Sequence, residues 1–429
     1  MRAQASITSS FGKAPGRRIA AILMLITLTL LAGCSQGKHV TAKKGAATAT
    51  ATSAPRGYTP APGSTASASP QATPANSPFI CANPAGSSLT YAFVNADRQI
   101  YMVTGCSAPV QLTHIQRPDT YSAPTPVAWS PSHRYLAFQP NLQSDFCLEI
   151  VDTSSGATLP TQYNCFNGDP SASGDDRTFI GWLDDNTFLG RIDIGSANAP
   201  NPVHIMKVDV HSQAETAVAS FSWMSDQKLR GNALFFGGRV NPNDTNAFLY
   251  RLSLVDGSVT KLVSLGLSGT GGCQVDFGPC SWTAPWDVSP DGAHVLYHNP
   301  GAPSFPSDTN APTDTPVYYA NLDGSGATRV LSGQWQYLIA AEFDPSGSWI
   351  FATTPGSTNT NDIVYQPVAG GSIQRLPNQY NFFWRSDGQA LVNVVISYDS
   401  QSTSTVTLIS PGASARTPLA PNTYFYLWA

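Results

Sequence analysis

Glutamate is nearly missing from this 429-residue chain: it occurs only at Glu149, Glu215 and Glu342, while aspartate is frequent. No long stretch of apolar residues repeats with a 3.6-residue period, so helix-rich folds fare badly. Only 12% of residues are charged and the net charge is -4, so the chain has no basic field for phosphates, and nucleic-acid binding is not expected. No Gly-x-Ser-x-Gly elbow is present, which excludes the usual serine-hydrolase nucleophile. No two cysteines stand at Cys-x2-Cys or Cys-x4-Cys spacing, which argues against a structural zinc site. What is abundant is Gly, Pro, Ser, Thr, Asn and Asp, a mixture that favours turns and strands.

The amino terminus has the plan of a secretory signal. Arg2, Lys13, Arg17 and Arg18 precede an uncharged apolar run from Ile19 to Leu31, which is shorter than the roughly 20 residues of a membrane span. Leu31-Ala32-Gly33-Cys34 resembles the lipobox of bacterial lipoproteins. The resemblance implies removal of residues 1–33, diacylation of the Cys34 thiol and acylation of its new amino group. Arg17-Arg18 also invites a twin-arginine reading, but the residues after it fit that poorly. Two or three acyl chains anchor stably where one binds marginally, so the expected location is extracytoplasmic, lipid-anchored to the bacterial membrane at the cell surface or in the periplasm. Residues 34–78, rich in Ala, Thr, Ser and Pro, cannot bury enough apolar surface to order themselves and read as a disordered linker. As a flexible coil it spans roughly 35 to 40 Å.

With Cys34 assigned to lipid, Cys81, Cys106, Cys147, Cys165, Cys273 and Cys280 remain, an even number suited to an oxidising compartment. Fifteen pairings are open to six cysteines. Neighbour pairing, 81 with 106, 147 with 165 and 273 with 280, is the expectation, because each bond would staple a local loop.

Residues 79–429 carry a recurring unit. Trp286-Asp287-Val288-Ser289-Pro290-Asp291-Gly292 sets a turn cluster between apolar runs, and looser copies start at Val127, Ile180, Phe221, Ala341 and Phe383. Their anchors Trp129, Trp182, Trp223, Val288, Phe343 and Trp384 lie 53, 41, 65, 55 and 41 residues apart. Units of about 40 to 45 residues with insertions have the period of a propeller blade. Each copy reads as strand, tight turn, strand, and two further alternating runs follow, giving four strands. Trp129-Ser130-Pro131 and Val288-Ser289-Pro290-Asp291-Gly292-Ala293-His294-Val295-Leu296-Tyr297 resemble the WD40-like (PD40) repeats of TolB-type β-propellers. The resemblance implies an all-β fold over most of residues 85–429. TolB's own amino-terminal domain has no counterpart in the linker. Only three candidate strands, near 89–94, 99–103 and 110–113, precede the first anchor, and the run ending at Trp428 keeps the phase of the anchors. The carboxy-terminal strand is therefore expected to join the amino-terminal blade, making seven four-stranded blades. Eight would need a further unit, and six would make the Trp182 or the Trp223 copy a false match.

In such blades the first-to-second and third-to-fourth turns share one face. The long connections, including 114–125, 163–177, 194–202, 265–285, 299–315 and 355–361, fall on the other, which nominates that face for binding. The sharpest candidate is the 265–286 segment, where a Cys273–Cys280 clip would present Phe277, Trp282 and Trp286; a structural cap is the equal alternative. His294 and His298 share a strand face about 13 Å apart, too far for one metal. Asp175-Asp176 and Asp184-Asp185 have the composition of calcium ligands but read better as turn caps. No catalytic or metal-binding residue is assigned, and no cofactor, calcium included, has residue-level support. The expected function is a monomeric binding or scaffold module for an envelope protein, peptide or glycan. The alternative is a lactonase- or hydrolase-like propeller enzyme with a metal in its central channel.

Overall fold

The structure is a computed structural model that describes residues 81–429 apart from 116–123, 141–146, 166–175, 195–201, 241–245, 268–285, 299–315, 334–337, 339, 356–360, 380, 397–403, 413–415 and 420–422. Every described regular element is a β-strand. The first sheet contains β1 (Thr90–Val94), β2 (Ile100–Thr104) and β3 (Val110–Gln111), and the second β4 (Thr125–Trp129), β5 (Tyr135–Gln139), β6 (Glu149–Asp152) and β7 (Thr158–Pro160). The third comprises β8 (Asp176–Trp182), β9 (Thr187–Asp193), β10 (Val203–Asp209) and β11 (Glu215–Phe221). The fourth holds β12 (Trp223–Arg230), β13 (Ala233–Arg239), β14 (Asn246–Ser253) and β15 (Val259–Leu267). The fifth is β16 (Trp286–Val288), β17 (His294–His298), β18 (Val317–Asn321) and β19 (Thr328–Val330). The sixth runs through β20 (Ala340–Phe343), β21 (Trp349–Pro355), β22 (Asn361–Pro367) and β23 (Gln374–Gln379). The seventh has β24 (Asn381–Trp384), β25 (Leu391–Ile396), β26 (Ser404–Ile409) and β27 (Arg416–Pro418), after which β28 (Tyr424–Trp428) returns to complete the first sheet beside β1.

All pairings are antiparallel and follow chain order, except that β28 pairs with β1 through Tyr91↔Trp428 and Ala92↔Leu427. This joins the carboxy-terminal strand to the first described strand and makes the arrangement a closed β-propeller of four-stranded sheets. A count of six would require dropping the Trp182 or the Trp223 copy, yet the sheets containing them, β8–β11 and β12–β15, each have four strands. Apolar side chains fill the layers between neighbouring sheets. One such layer combines Tyr135, Ala137 and Ile150 of the second sheet with Phe179, Trp182 and Phe188 of the third. At the last junction Phe351 of β21 lies 5.4 Å from Trp384 of β24.

The seam is reinforced. Trp428 stacks on Tyr91 at 5.1 Å and donates its indole N–H to Asn83 Oδ1 at 2.9 Å. Asn83 in turn donates to the carbonyls of Leu89 and Gly105, and Cys81 is disulfide-bonded to Cys106. The outer edges, which would otherwise template further strands, are blunted. β3, β7, β19 and β27 have two or three residues; the longer β11, β15 and β23 lie in pairings with register shifts, and β23 includes Pro377.

The turn chemistry explains the aspartate excess. Asp152, Asp184, Asp209, Asp256, Asp291, Asp323, Asp344 and Asp387 each accept backbone N–H bonds from residues two or three further on. A shorter carboxylate reaches its own backbone where glutamate's longer arm does not close the same ring. At the corner that needs positive φ stand Gly292 (69°), Gly347 (72°) and Gly388 (67°), and in the second sheet His133 (64°).

The fourth sheet corrects the alignment of one repeat. Trp223 begins β12 rather than ending it; the hairpin partner pair Leu229↔Leu234 corresponds to Trp129↔Leu136 and Val288↔Val295. Leu229 therefore occupies the anchor position, and Gly231, at φ 52°, makes a tight turn with no Ser-Pro signature.

Candidate functional site

The last residues of the innermost strands, or in β12 the last but one, mark equivalent positions around the ring: Trp129, Trp182, Leu229, Val288, Phe343, Trp384 and Trp428. Two of the tryptophans reach backwards across the junction, Trp129 Nε1 to the Leu427 carbonyl at 3.1 Å and Trp182 Nε1 to the Ala128 carbonyl at 3.2 Å. The residues one step before the anchors form a second ring. Going round, its members are Ala128, Gly181, Lys228, Asp287, Glu342, Phe383 and Leu427. Three consecutive positions, Lys228, Asp287 and Glu342, are charged and form an arc.

Asp287 is its centre and is only 1% exposed. Its Oδ1 lies 3.0 Å from Lys228 Nζ and 3.2 Å from Arg230 Nη2, and accepts the N–H of Val288 at 2.8 Å. Its Oδ2 accepts the N–H of Phe343 at 2.8 Å. Arg230 also donates through Nε to the Val288 carbonyl, and Lys228 Nζ stands 3.5 Å from Glu342 Oε1. One carboxylate thus ties the fourth, fifth and sixth sheets together. Both of its oxygens are occupied by donors from within the fold. Lys228 and Glu342 keep partial access to solvent, with side-chain exposures of 23% and 44%, and present a dipolar pair there.

Among the described residues no group of three or more His, Cys, Asp or Glu is placed to hold a metal ion.

Of the sequence candidates, Cys81–Cys106 and Cys147–Cys165 are disulfide-bonded as the neighbour pairing proposed. Cys34, Cys273, Cys280, Phe277 and Trp282 lie outside the described residues, as does most of each long connection nominated for binding. Trp286 is described and does not stand on a loop: it opens β16, is 4% exposed and packs with Val263, Leu265 and Val288. It is a core side chain, so it cannot serve as an exposed recognition residue in this arrangement. Asp184 and Asp185 cap backbone groups, the latter accepting the N–H of Ser132 from the neighbouring sheet, and Asp176 is in β8. His294 stacks on Tyr319 at 4.9 Å, whereas His298 is buried at the far end of β17.

The charged arc was not legible in the sequence because Lys228 was misaligned with its repeat; once Leu229 is the anchor, Lys228, Asp287 and Glu342 fall in one column.

Fold and seam define the class, a propeller of four-stranded sheets closed by its own carboxy-terminal strand. No family model matches the sequence, and no curated protein matches it. Similar solved structures include a prolyl endopeptidase, at 14% identity over 76% of this chain and 46% of that one, with a TM-score of 0.51. An oligogalacturonate lyase aligns at 12% identity over 74% of this chain and 87% of its own, with a TM-score of 0.48. TolB from Acinetobacter baumannii aligns at 12% identity over 81% and 68%, with a TM-score of 0.40. At such identities the likeness concerns the fold alone. The chain spans less than half of the prolyl endopeptidase structure.

Proposed function

We propose that the protein is an extracytoplasmic lipoprotein, processed after residue 33 and acylated at Cys34, whose residues 34–78 tether a propeller of residues 79–429. The propeller binds an envelope protein, peptide or glycan through the edge of the ring that carries its long connections. The supporting observation is an asymmetry of connection length. Turns from first to second and third to fourth strands are short throughout, as at 130–134, 153–157, 289–293 and 368–373. Connections leaving the opposite ends of the sheets include 112–124, 161–175, 268–285 and 299–316. A rigid closed ring with variable chain at one edge is a common plan for recognition. The two disulfides support an oxidising compartment.

Two measurements test the reading. Metabolic labelling with a fatty acid should mark the wild type and not Cys34→Ala; labelling of neither would refute the anchor. Binding of the full chain to arrays of envelope peptides and glycans should be lost when residues 268–285 are replaced by a Gly-Ser segment of equal length. Binding unchanged by that replacement, and by equivalent replacement of 299–315, would refute the assignment of the binding edge.

A further inference from the structure

We infer that His298 makes the junction between the fifth and sixth sheets acid-labile, so that mild acid loosens the edge of the ring from which residues 299–315 leave. His298 is the last residue of β17, is 2% exposed, and neither of its ring nitrogens has a hydrogen-bond partner. Strand alternation and register fix the direction of its side chain. It shares a sheet face with Leu296 and is registered on Val317, and those two pack against Ala341, Ile350, Ala352 and Val364 of the sixth sheet. By the same alternation Thr354 and Asp362, registered on each other and both buried, lie on the opposed face at the same end.

The charged and titratable groups on these two faces are engaged elsewhere. Asp362 is ion-paired with Arg375. Asp287, at the turn end of the fifth sheet, is held by Lys228 and Arg230, and Glu342, registered on Phe351, alternates to the other face of the sixth sheet. Tyr319 is stacked on His294. In its neutral form His298 is buried at this junction without a hydrogen-bond partner, and burial alone pushes it down to about 4.

A free imidazole takes up its proton near 6.5. The opened junction consequently binds the proton more readily than the closed one. The closed state has its full advantage above the ordinary value, loses it as the pH falls from there towards 4, and loses no more below. Trp286 in the adjacent strand also has a buried N–H without a partner, so the end of this sheet has little hydrogen bonding with which to resist water entry.

Hydrogen exchange of the full chain at pH 7 and pH 4.5, corrected for intrinsic rates, tests this. Segments 294–298, 317–321 and 350–355 should open roughly 60-fold more often at pH 4.5 than at pH 7, with the second and third sheets unaffected. His298→Phe should abolish the acceleration. An acceleration that persists in this variant, or that is uniform around the ring, overturns the inference. Should the variant fail to fold, the His298 ring resonance of the wild type decides. Protonation near pH 4 accompanied by local opening supports the inference, and protonation near 6.5 without opening refutes it.

Discussion

Gly190 is the position where packing makes the sharpest demand on this fold. It lies in β9 opposite Phe179, and a Cβ built on its backbone would sit 2.3 Å from Cε1, 2.7 Å from Cζ and 2.9 Å from Oη of Tyr163. Tyr163 has no ready retreat. It is 1% exposed, packs edge-on against Phe188 at 5.1 Å, and donates its hydroxyl to Glu215 at 2.9 Å. Its carbonyl accepts the Leu148 N–H, and the Cys147–Cys165 bond holds the backbone on either side. Gly190→Ala must therefore displace an aromatic ring across a sheet junction. Overpacking of a well-filled core costs about 1–3 kcal/mol, and loss of the tyrosine hydrogen bond to a carboxylate adds about 1.5–3 kcal/mol if the ring swings out. A destabilisation of about 2–5 kcal/mol is expected in urea unfolding of the full chain. In a Tyr163→Ala background the same substitution should cost almost nothing, since the obstructing ring is gone, giving a coupling energy of at least about 1 kcal/mol in the double-mutant cycle. Additive effects, or a Gly190→Ala protein as stable as wild type, would refute the packing argument.

Other perturbations have equally definite outcomes. Asp287→Ala should destabilise by about 3 kcal/mol, the low end for a broken buried pair because Lys228 and Arg230 keep some access to water, and Asp287→Asn by less, read by chemical denaturation. Trp428→Ala removes the stack on Tyr91 and the bond to Asn83, and should cost about 3–5 kcal/mol by the same assay. Cys106→Ser opens a bond of sequence separation 25 and should lower stability by about 3 kcal/mol in non-reducing chemical denaturation.

The architecture was readable because it is written in local chemistry. Pro at one corner and Gly at the next, between runs of alternating apolar residues, specify the Ser289–Gly292 and Asp344–Gly347 turns wherever they occur, and the paired cysteines sit close enough in sequence to find each other. Legibility ended where the local signal changed. The Leu229–Leu234 hairpin turns on Gly231 and Asn232, so the conspicuous Trp223 drew the alignment six residues too early and hid Lys228 from its column. Trp286 was read two ways, as a recognition residue beside the clipped loop and as part of a structural cap packed on the neighbouring sheet, and its burial with Val263 and Leu265 agrees with the second. His298 reads in sequence as an ordinary strand residue; its isolation is a property of two sheets meeting, which no single segment encodes.

Amide hydrogen exchange at the chain's two ends bears most directly on the closed ring. Residues 424–428 should exchange as slowly as residues 90–94, and both should lose protection together as denaturant is added, because they are hydrogen-bonded partners in one sheet. Rapid exchange of 424–428 beside a protected 90–94 would mean that the carboxy-terminal strand does not close the ring.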